Sequence, residues 1–166
     1  MTDQQFNNFI AGIATAKIGH DPANNINRCN PYDPEHLSDL SMFNLDLTHF
    51  CFLPARPDLI VPYTTGADEL NYQCAILIIK MTDNTQPEID AAINGAEVIA
   101  LKMWAYFKEL EQTNGVFLFD KIRMAKQPFR IEKLKGLSEN SAGVEIIFTL
   151  QELIYYHHYL DVAVWQ

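Results

Sequence analysis

The sequence predicts an α+β fold, in which a mostly antiparallel sheet packs against one long helix and a further helix lies at the N-terminus. The long helix is indicated by residues 86–112, where apolar side chains recur at intervals of three and four. Strand-like runs cluster before and after this segment instead of alternating with helices, which favours an antiparallel sheet. With 166 residues, 48% of them apolar, the chain has the size and composition of a single domain, residues 1–166.

The first predicted element is an amphipathic helix over residues 3–17. Its apolar positions follow helical spacing: Phe6, Phe9, Ile10 and Ile13. Thr2 or Asp3 is placed to cap the first turn, and Gly19 is a good left-handed terminator. Residues 20–33 are rich in Asn, Pro and Asp, and we expect them to form a loop.

Three strands are expected before the long helix. A short helical stretch, PEHLSDL, opens with Pro34. The alternation in LDLTHFCFL then places one set of side chains on one strand face: Leu45, Leu47, His49, Cys51 and Leu53. Pro62 restricts the next strand, DLIVPYTT, to an edge or a bulge. In the third run, LNYQCAILIIKM, residues 75–79 are apolar on both faces, which favours a central strand covered on each side.

The long helix is expected to begin after Asn84 or Thr85, with Pro87 in its first turn. One apolar stripe runs along it for about 39 Å, and consists of Ile89, Ile93, Ala96, Ala100, Met103, Phe107 and Leu110. Gly95 weakens the helix by about 1 kcal/mol relative to Ala and indicates a close crossing over the sheet.

Apolar residues also lie outside this stripe, at Val98, Leu101 and Trp104. They widen the apolar surface beyond the width that one buried face requires. The helix is therefore either buried on two sides or in contact with another subunit.

The segments after the helix have strand composition and carry many of the basic residues. Asn114-Gly115 marks a turn, and four segments rich in Tyr, Phe, Ile and Val follow: GVFLFDKIRM, FRIEKLK, VEIIFTLQEL and YYHHYLDVAVW. Basic residues alternate with apolar ones at Lys121, Arg123, Lys126, Arg130, Lys133 and Lys135. This spacing is typical of a solvated strand face, and an anion- or partner-binding stripe is the alternative. The net charge of −9 argues against nucleic acid as the main partner, because phosphate binding needs clustered Lys and Arg.

The cysteines and the N-terminal segment favour a reducing compartment. Cys29, Cys51 and Cys74 are odd in number and form no CxxC pair, which disfavours both a disulfide framework and a zinc site. The segment MTDQQFNNF lacks the basic and apolar regions of a signal peptide. No apolar run reaches the roughly 18–20 residues of a membrane span. We expect a protein that stays in the cytoplasm or is packaged from there.

The most prominent candidates for a metal site are two adjacent histidines near the C-terminus. They lie in an aromatic segment formed by Tyr155, Tyr156, His157, His158 and Tyr159. Neighbouring residues of a strand point to opposite faces, so the two imidazoles cannot easily share a metal. A surface or subunit contact is the favoured interpretation, because Tyr and His combine an apolar ring with a polar tip. We expect no metal and no cofactor.

The other candidate groups have structural explanations as well. His20 and Asp21 could form an acid/base dyad, but His20 lies just past a helix end, where a protonated imidazole is favoured by the helix dipole. His49 is expected to be packed or partnered, His36 exposed, and Cys74 buried in an apolar run that disfavours a nucleophile. The sequence contains no GxSxG, P-loop, GxGxxG, HExxH or EF-hand motif. It therefore does not support an enzyme.

Several segments together carry a resemblance. The run FNNFIAGIATAKIGHD, followed by an Arg in a polar loop, resembles the opening of small proteins from bacteriophage and prophage tail modules. The central strands, the long helix PEIDAAINGAEVIALKMWAYF and the late strand VEIIFTL after Gly143 are similar to them in pattern. No invariant functional motif comes with the resemblance, so it assigns no site residue.

The resemblance implies a virion component of tail-terminator, neck or connector type, assembled in the bacterial cytoplasm. Such subunits close into rings, often sixfold, and contact other tail or neck proteins, and heterologous contacts that close under rotation generate rings. The acidic charge and the surplus apolar surface suit this role. The candidate interface residues are Trp104, Tyr155, Tyr156, His157 and His158. The alternative is a cytosolic small-molecule-binding module or small enzyme with a pocket between helix and sheet.

Overall fold

The computed structural model of the chain describes residues 1–32, 44–55, 57–60, 69–115, 117–119, 121–126, 129–135 and 140–153. Within these residues the fold is α+β, with two α-helices and a six-stranded antiparallel sheet, as the sequence predicts. The helices are α1 (Asp3–Ile18) and α2 (Gln86–Thr113). The strands are β1 (Cys51–Pro54), β2 (Asp58–Ile60), β3 (Glu69–Met81), β4 (Ile122–Met124), β5 (Arg130–Lys135) and β6 (Ser141–Leu153).

The helix ends are defined by their capping residues. Thr2 forms a capping box at the start of α1: its Oγ1 accepts from Gln5 N at 3.2 Å, and Gln5 Oε1 accepts from Thr2 N at 2.8 Å. Gly19 ends α1 in the left-handed conformation, with φ 68°. Thr85 is the cap residue of α2. The helices predicted over residues 3–17 and 86–112 are thus confirmed, each ending one residue later than expected.

The two long strands β3 and β6 form the centre of the sheet. They pair antiparallel over their full 13 residues, from Glu69 opposite Leu153 to Met81 opposite Ser141. β1 and β2 follow one another along the free edge of β3, and β4 and β5 lie along the free edge of β6. The prediction that residues 75–79 belong to a central strand is confirmed.

The edge formed by β1 and β2 is irregular. The chain advances four residues from Pro54 to Asp58, whereas their partners Ile76 and Gln73 are three residues apart, so one extra residue lies between the two strands. Residues 28–32 run parallel to β1 and form backbone hydrogen bonds with it at 2.8 to 3.1 Å. These bonds cover the outer edge of β1.

The main core lies between the sheet and the two helices. The predicted stripe of α2 is buried at Ile93, Ala96, Ala100, Met103 and Phe107, and partly buried at Ile89 and Leu110. The sheet contributes the even-numbered residues of β3 and β6, among them Cys74, Ile76, Ile78, Val144, Ile146 and Phe148. The Phe107 ring is central, with its centroid 5.7 Å from that of Phe9 and 5.5 Å from that of Phe148.

The opposite sheet face carries a smaller apolar cluster, which consists of Tyr32, Cys51, Leu53, Ala55, Leu77 and Ile79. Leu45 and Leu47 pack against it, but from a turn and not from a strand. The backbone N–H of His49 donates to the carbonyl of Asp46 at 3.1 Å and closes that turn. The strand predicted to begin at Leu45 is therefore wrong in its first half, and β1 begins only at Cys51.

Two glycines mark close approaches. A Cβ at Gly95 would lie 2.5 Å from the tip of the Phe50 ring, which precedes β1. The close contact predicted at Gly95 is thus made with this aromatic side chain and not with a strand of the sheet. A Cβ at Gly143 would lie 1.9 Å from the carbonyl oxygen of Ile78, so β3 and β6 can adopt their observed spacing only with glycine there.

Candidate interaction surface

The outer side of α2 is apolar and exposed. Val98, Leu101 and Trp104 are 50%, 57% and 42% exposed, respectively. The sheet and α1 cover the opposite side of the helix. Within the described residues α2 is therefore buried on one side only.

This side of α2 forms one wall of an apolar groove with a volume of about 560 Å³. The helix contributes Leu101, Trp104 and Lys108, and the other wall and floor are formed by Met124, Ala125, Lys126, Phe129 and Ile131. The floor is continuous with the core, because the Phe129 ring stacks on Phe148 with centroids 5.7 Å apart. The floor of the groove is thus packed directly against the close-packed core.

Polar contacts join α2 to the sheet on both sides of the groove. Towards the helix N-terminus, Glu97 of α2 pairs with Lys133 of β5 at 3.2 Å. Towards the C-terminus, Glu111 Oε1 accepts from Met124 N at 3.0 Å, and Glu111 Oε2 accepts from Lys108 Nζ at 2.8 Å. These contacts fix the separation of the two walls and orient one lysine along the rim.

The rim of the groove is basic, in a protein with a net charge of −9. Lys108 and Lys126 are both exposed at the rim. Three other basic residues of the predicted stripe form ion pairs. Arg123 pairs with Glu69 and Arg130 with Glu132, while Lys133 faces α2. A strand face with individual ion pairs is therefore a better description of this segment than a continuous anion-binding stripe.

A second, smaller recess of about 300 Å³ lies at the N-terminal end of α2. Its lining includes Met81, Pro87 and Ala91, and Met81 is 48% exposed. Its lining contains one acidic residue, Glu88. It also contains one lysine, Lys80, whose ammonium group lies 5.9 Å from the centroid of the Phe50 ring.

Arg28, not His20, supplies the positive charge at the end of α1. Its Nη1 donates to the carbonyl of Ile18 at 2.7 Å, and its Nε and Nη2 donate to Asp46 Oδ2 at 3.1 and 3.0 Å. His20 is buried, and its Nδ1 accepts from the backbone N–H of Arg28 at 3.1 Å. Burial lowers the pKa of His20, against the weaker opposing effect of Asp21. The expected capping role of a protonated His20 is therefore wrong.

The polar groups around Asp46 pair with its carboxylate. Hydrogen bonds from Thr48 and Arg28 lower the pKa of Asp46, and exposed His49 lies 3.0 Å from the same carboxylate, so His49 is partnered as expected. The Cys51 thiol donates to the carbonyl of Asp46 at 3.3 Å, and burial raises its pKa to about 12. Cys74 is buried, as predicted from its apolar run, and burial raises its pKa.

Two glutamates lie directly opposite each other on the sheet face turned away from α2. They are Glu145 of β6 and Glu132 of β5. Burial, and then the charge of Glu132, raise the pKa of Glu145. Burial raises the pKa of nearby Tyr32 to about 12, and the charge of Glu145 adds to that shift. Like charges opposite each other in adjacent strands destabilise a sheet.

The structure brings Trp104 to the groove and leaves the other predicted interface residues untested. Tyr155, Tyr156, His157 and His158 lie outside the described residues, as do His36, the stretch PEHLSDL and Pro62. Among the residues described, no group of three or more His, Cys, Asp or Glu side chains could hold a metal, and no helix is long and apolar enough to cross a membrane.

The sequence did not indicate the second wall of the groove. Met124, Ala125, Phe129 and Ile131 read as ordinary strand residues, and only the sheet pairing places them beside α2. Comparison with protein-family models, with curated proteins and with solved structures finds no significant match to this chain.

Proposed function

We propose that this chain is a virion structural protein of a phage tail or neck, of tail-terminator or connector type, which acts by associating with copies of itself into a ring. The observation that carries the proposal is the exposed apolar side of α2 with its adjoining groove. A closed ring needs heterologous contacts between two different surfaces of each subunit. The groove offers one such surface on a rigid secondary-structure base.

The energetics of the groove favour association. Exposed apolar surface contributes about 25 cal/mol per Å² when it is removed from water. Trp is enriched among the residues that dominate interface affinity, particularly where a pocket surrounds it. Trp104 is half exposed at the mouth of the groove, and Leu101 lies one helical turn before it. A contact centred on these two residues would bury both.

Size-exclusion chromatography with light scattering over a concentration series tests the proposal. We expect a mass that is a multiple of 19.0 kDa for the unmodified chain. Trp104→Glu should shift the mass towards that of one subunit without changing the circular dichroism spectrum, and Tyr156→Glu is expected to act in the same direction. Leu59→Glu is the matched control, because Leu59 is 52% exposed but lies on β2, at the other edge of the sheet. A single-subunit mass at every concentration would contradict the proposal.

A second candidate is a cytosolic small-molecule-binding module or small enzyme, and the size of the groove favours it. Ligand pockets usually have volumes of about 300–1,000 Å³, and the groove falls within this range. Under this hypothesis the chain is a monomer or dimer whose melting temperature rises with small apolar compounds. That rise should disappear in Trp104→Ala, whereas ring formation does not require any added compound.

A further inference from the structure

We infer that the C-terminal segment of one copy, residues 154–166, occupies the groove of the next copy. This inference rests on the proposed self-association and names the two surfaces that meet. The segment has the sequence IYYHHYLDVAVWQ and lies outside the described residues. It contains four of the five interface residues predicted from the sequence, and the fifth, Trp104, lines the groove.

The composition of the segment suits an apolar groove. Nine of its 13 residues are apolar and four of these are aromatic, so it needs a large apolar surface to cover them. Tyr and Trp are enriched at the centres of interfaces, where they add apolar area and keep a polar tip for hydrogen bonding. The groove supplies matching side chains, among them Trp104, Phe129 and Ile131.

The charges of the two surfaces are compatible. Lys108 and Lys126 lie exposed at the rim of the groove. The segment contains one acidic residue, Asp161, and no lysine or arginine. Histidine is mostly neutral at pH 7, so no like charge opposes the entry of the segment, and the carboxylate of Asp161 is attracted to the lysines of the rim.

The pairing of β6 shows where the segment begins relative to its own groove. Ile131 of the groove lies opposite Ile146, and Met124 of the groove lies opposite Leu150. β6 passes these two positions in that order and ends at Leu153. A strand advances about 3.3 Å per residue, so its end lies about 10 Å beyond Leu150. The segment therefore starts past its own groove.

A return of the segment to its own groove requires a reversal of the chain. Tight reversals are made mostly by Gly, Pro, Asn, Asp and Ser, and residues 154–160 contain none of them. Ile and Tyr, which account for four of these seven residues, favour extended backbone. In full extension the segment spans up to about 43 Å, which is enough to reach a neighbouring subunit. The sequence thus favours occupancy of the next copy's groove.

A contact of this kind joins two different surfaces. The first copy keeps an empty groove, and the second copy keeps an unbound segment. Each further copy adds the same contact, so repetition gives a ring or a filament and not a closed two-subunit pair. This is the type of contact that the proposed ring requires.

Two single substitutions separate the two surfaces. The groove variant is Trp104→Glu, and the segment variant is Tyr156→Glu. Each should weaken association at least about tenfold in light scattering, because each places a charge at the centre of an apolar contact. Circular dichroism spectra should match that of the unmodified chain. Leu101→Glu and Tyr159→Glu form a second pair of variants with the same expected result.

An equimolar mixture of the groove variant and the segment variant is the decisive measurement. The groove variant retains an intact segment, and the segment variant retains an intact groove. One contact can therefore form between them, and no further copy can be added. The mixture should give twice the 19.0 kDa of one subunit, whereas each variant alone should stay close to that mass. In the control, a chain that carries both substitutions replaces the segment variant, and no pair should form because neither chain has an intact groove.

The outcomes distinguish this pairing from the proposed self-association. If the unmodified chain associates but Tyr156→Glu has no effect, or if the mixture forms no pair, the pairing is wrong and the proposed self-association stands. If Tyr156→Glu raises the mass, the segment covers its own groove, and the pairing is wrong as well. If the unmodified chain stays a single subunit at every concentration, both proposals are wrong.

Discussion

The helix layer and the sheet layer differ in the side chains on their outer faces, which point away from the core between them. On the far face of the sheet, one half carries polar side chains, among them Glu132, Glu145 and Gln151, and Leu45 and Leu47 pack against the apolar half. On α2, the side chains of Val98 and Leu101 are 50% and 57% exposed, and no described residue buries them. Within the described residues, the large apolar side chains that the sheet leaves exposed are those of Leu59, Ile60 and Met81, on β2 and at the end of β3, whereas α2 leaves three exposed along one side.

The apolar residues of α2 therefore fall into two groups, an inner stripe and an outer side. The inner stripe of α2 is explained by folding, because its residues belong to the main core or pack against it. The outer residues are exposed to water and so stabilise the fold less than the inner stripe does. Contact of exposed apolar side chains with water is unfavourable relative to burial against another surface. An apolar residue in a helix therefore predicts burial, and only the fold tells whether that burial occurs within the chain or between chains.

The largest effect on stability is expected when one residue from each side of α2 is replaced by alanine and the two variants are compared. Phe107→Ala should lower the free energy of unfolding by about 4 kcal/mol, because the ring is fully buried among aromatic neighbours. Leu101→Ala should change it by less than about 0.5 kcal/mol, since the side chain is mostly exposed. Urea unfolding of dilute protein measures both. Equal losses would show that the outer side also stabilises the single subunit.

A smaller effect is expected at Gly95, which lies at the border between the two sides. Alanine there should raise helix stability by about 1 kcal/mol, but its Cβ would meet the Phe50 ring. The gain should therefore appear in full only in a Phe50→Ala background, relative to Phe50→Ala alone. Thermal unfolding of the four chains in this cycle measures the coupling, and a full gain in the unmodified background would contradict the close contact.

The smallest effect concerns the polar far face of the sheet. The folded protein raises the pKa of Glu145, so it holds this proton more tightly than the unfolded chain does. This contribution to stability is complete below pH 4.5, the ordinary pKa of a glutamate, and is lost as the pH rises through the higher folded value.

Glu145→Gln should remove that loss and raise the free energy of unfolding at neutral pH by about 0.5 kcal/mol, the scale of a cross-strand pair. The gain should vanish at pH 4. Denaturant unfolding at pH 4 and pH 7 measures it. Glu109→Gln, at an exposed site on α2, is the control and should give no such difference, and a gain of equal size at both pH values would exclude the proposed cause.

Local sequence patterns predicted the elements whose stability is local. The capping box at Thr2, the terminator at Gly19 and the apolar stripe of α2 all follow from residues within a few positions of one another. The error at residues 45–49 has a different origin. Their alternation is typical of a strand, but Arg28, a distant residue, binds Asp46 and stabilises a turn there.

The candidate surface was predictable only in part for the same reason. Leu101 and Trp104 stand out on a helical projection as apolar residues beyond the buried stripe. The other wall depends on strand pairing: Met124 lies opposite Leu150 and Ile131 opposite Ile146, and only this register brings them beside α2. No spacing rule relates these residues to the helix, so the groove appears only once the chain is folded.

The extra residue between β1 and β2 has a consequence for how copies of the chain can meet. Proteins often join through unpaired backbone groups at the margin of a sheet, and a bulge or a covering segment prevents that union. Here the bulge disturbs the hydrogen-bond spacing of one margin, and residues 28–32 occupy its outer groups beside β1. Docking of another strand at this margin is therefore disfavoured.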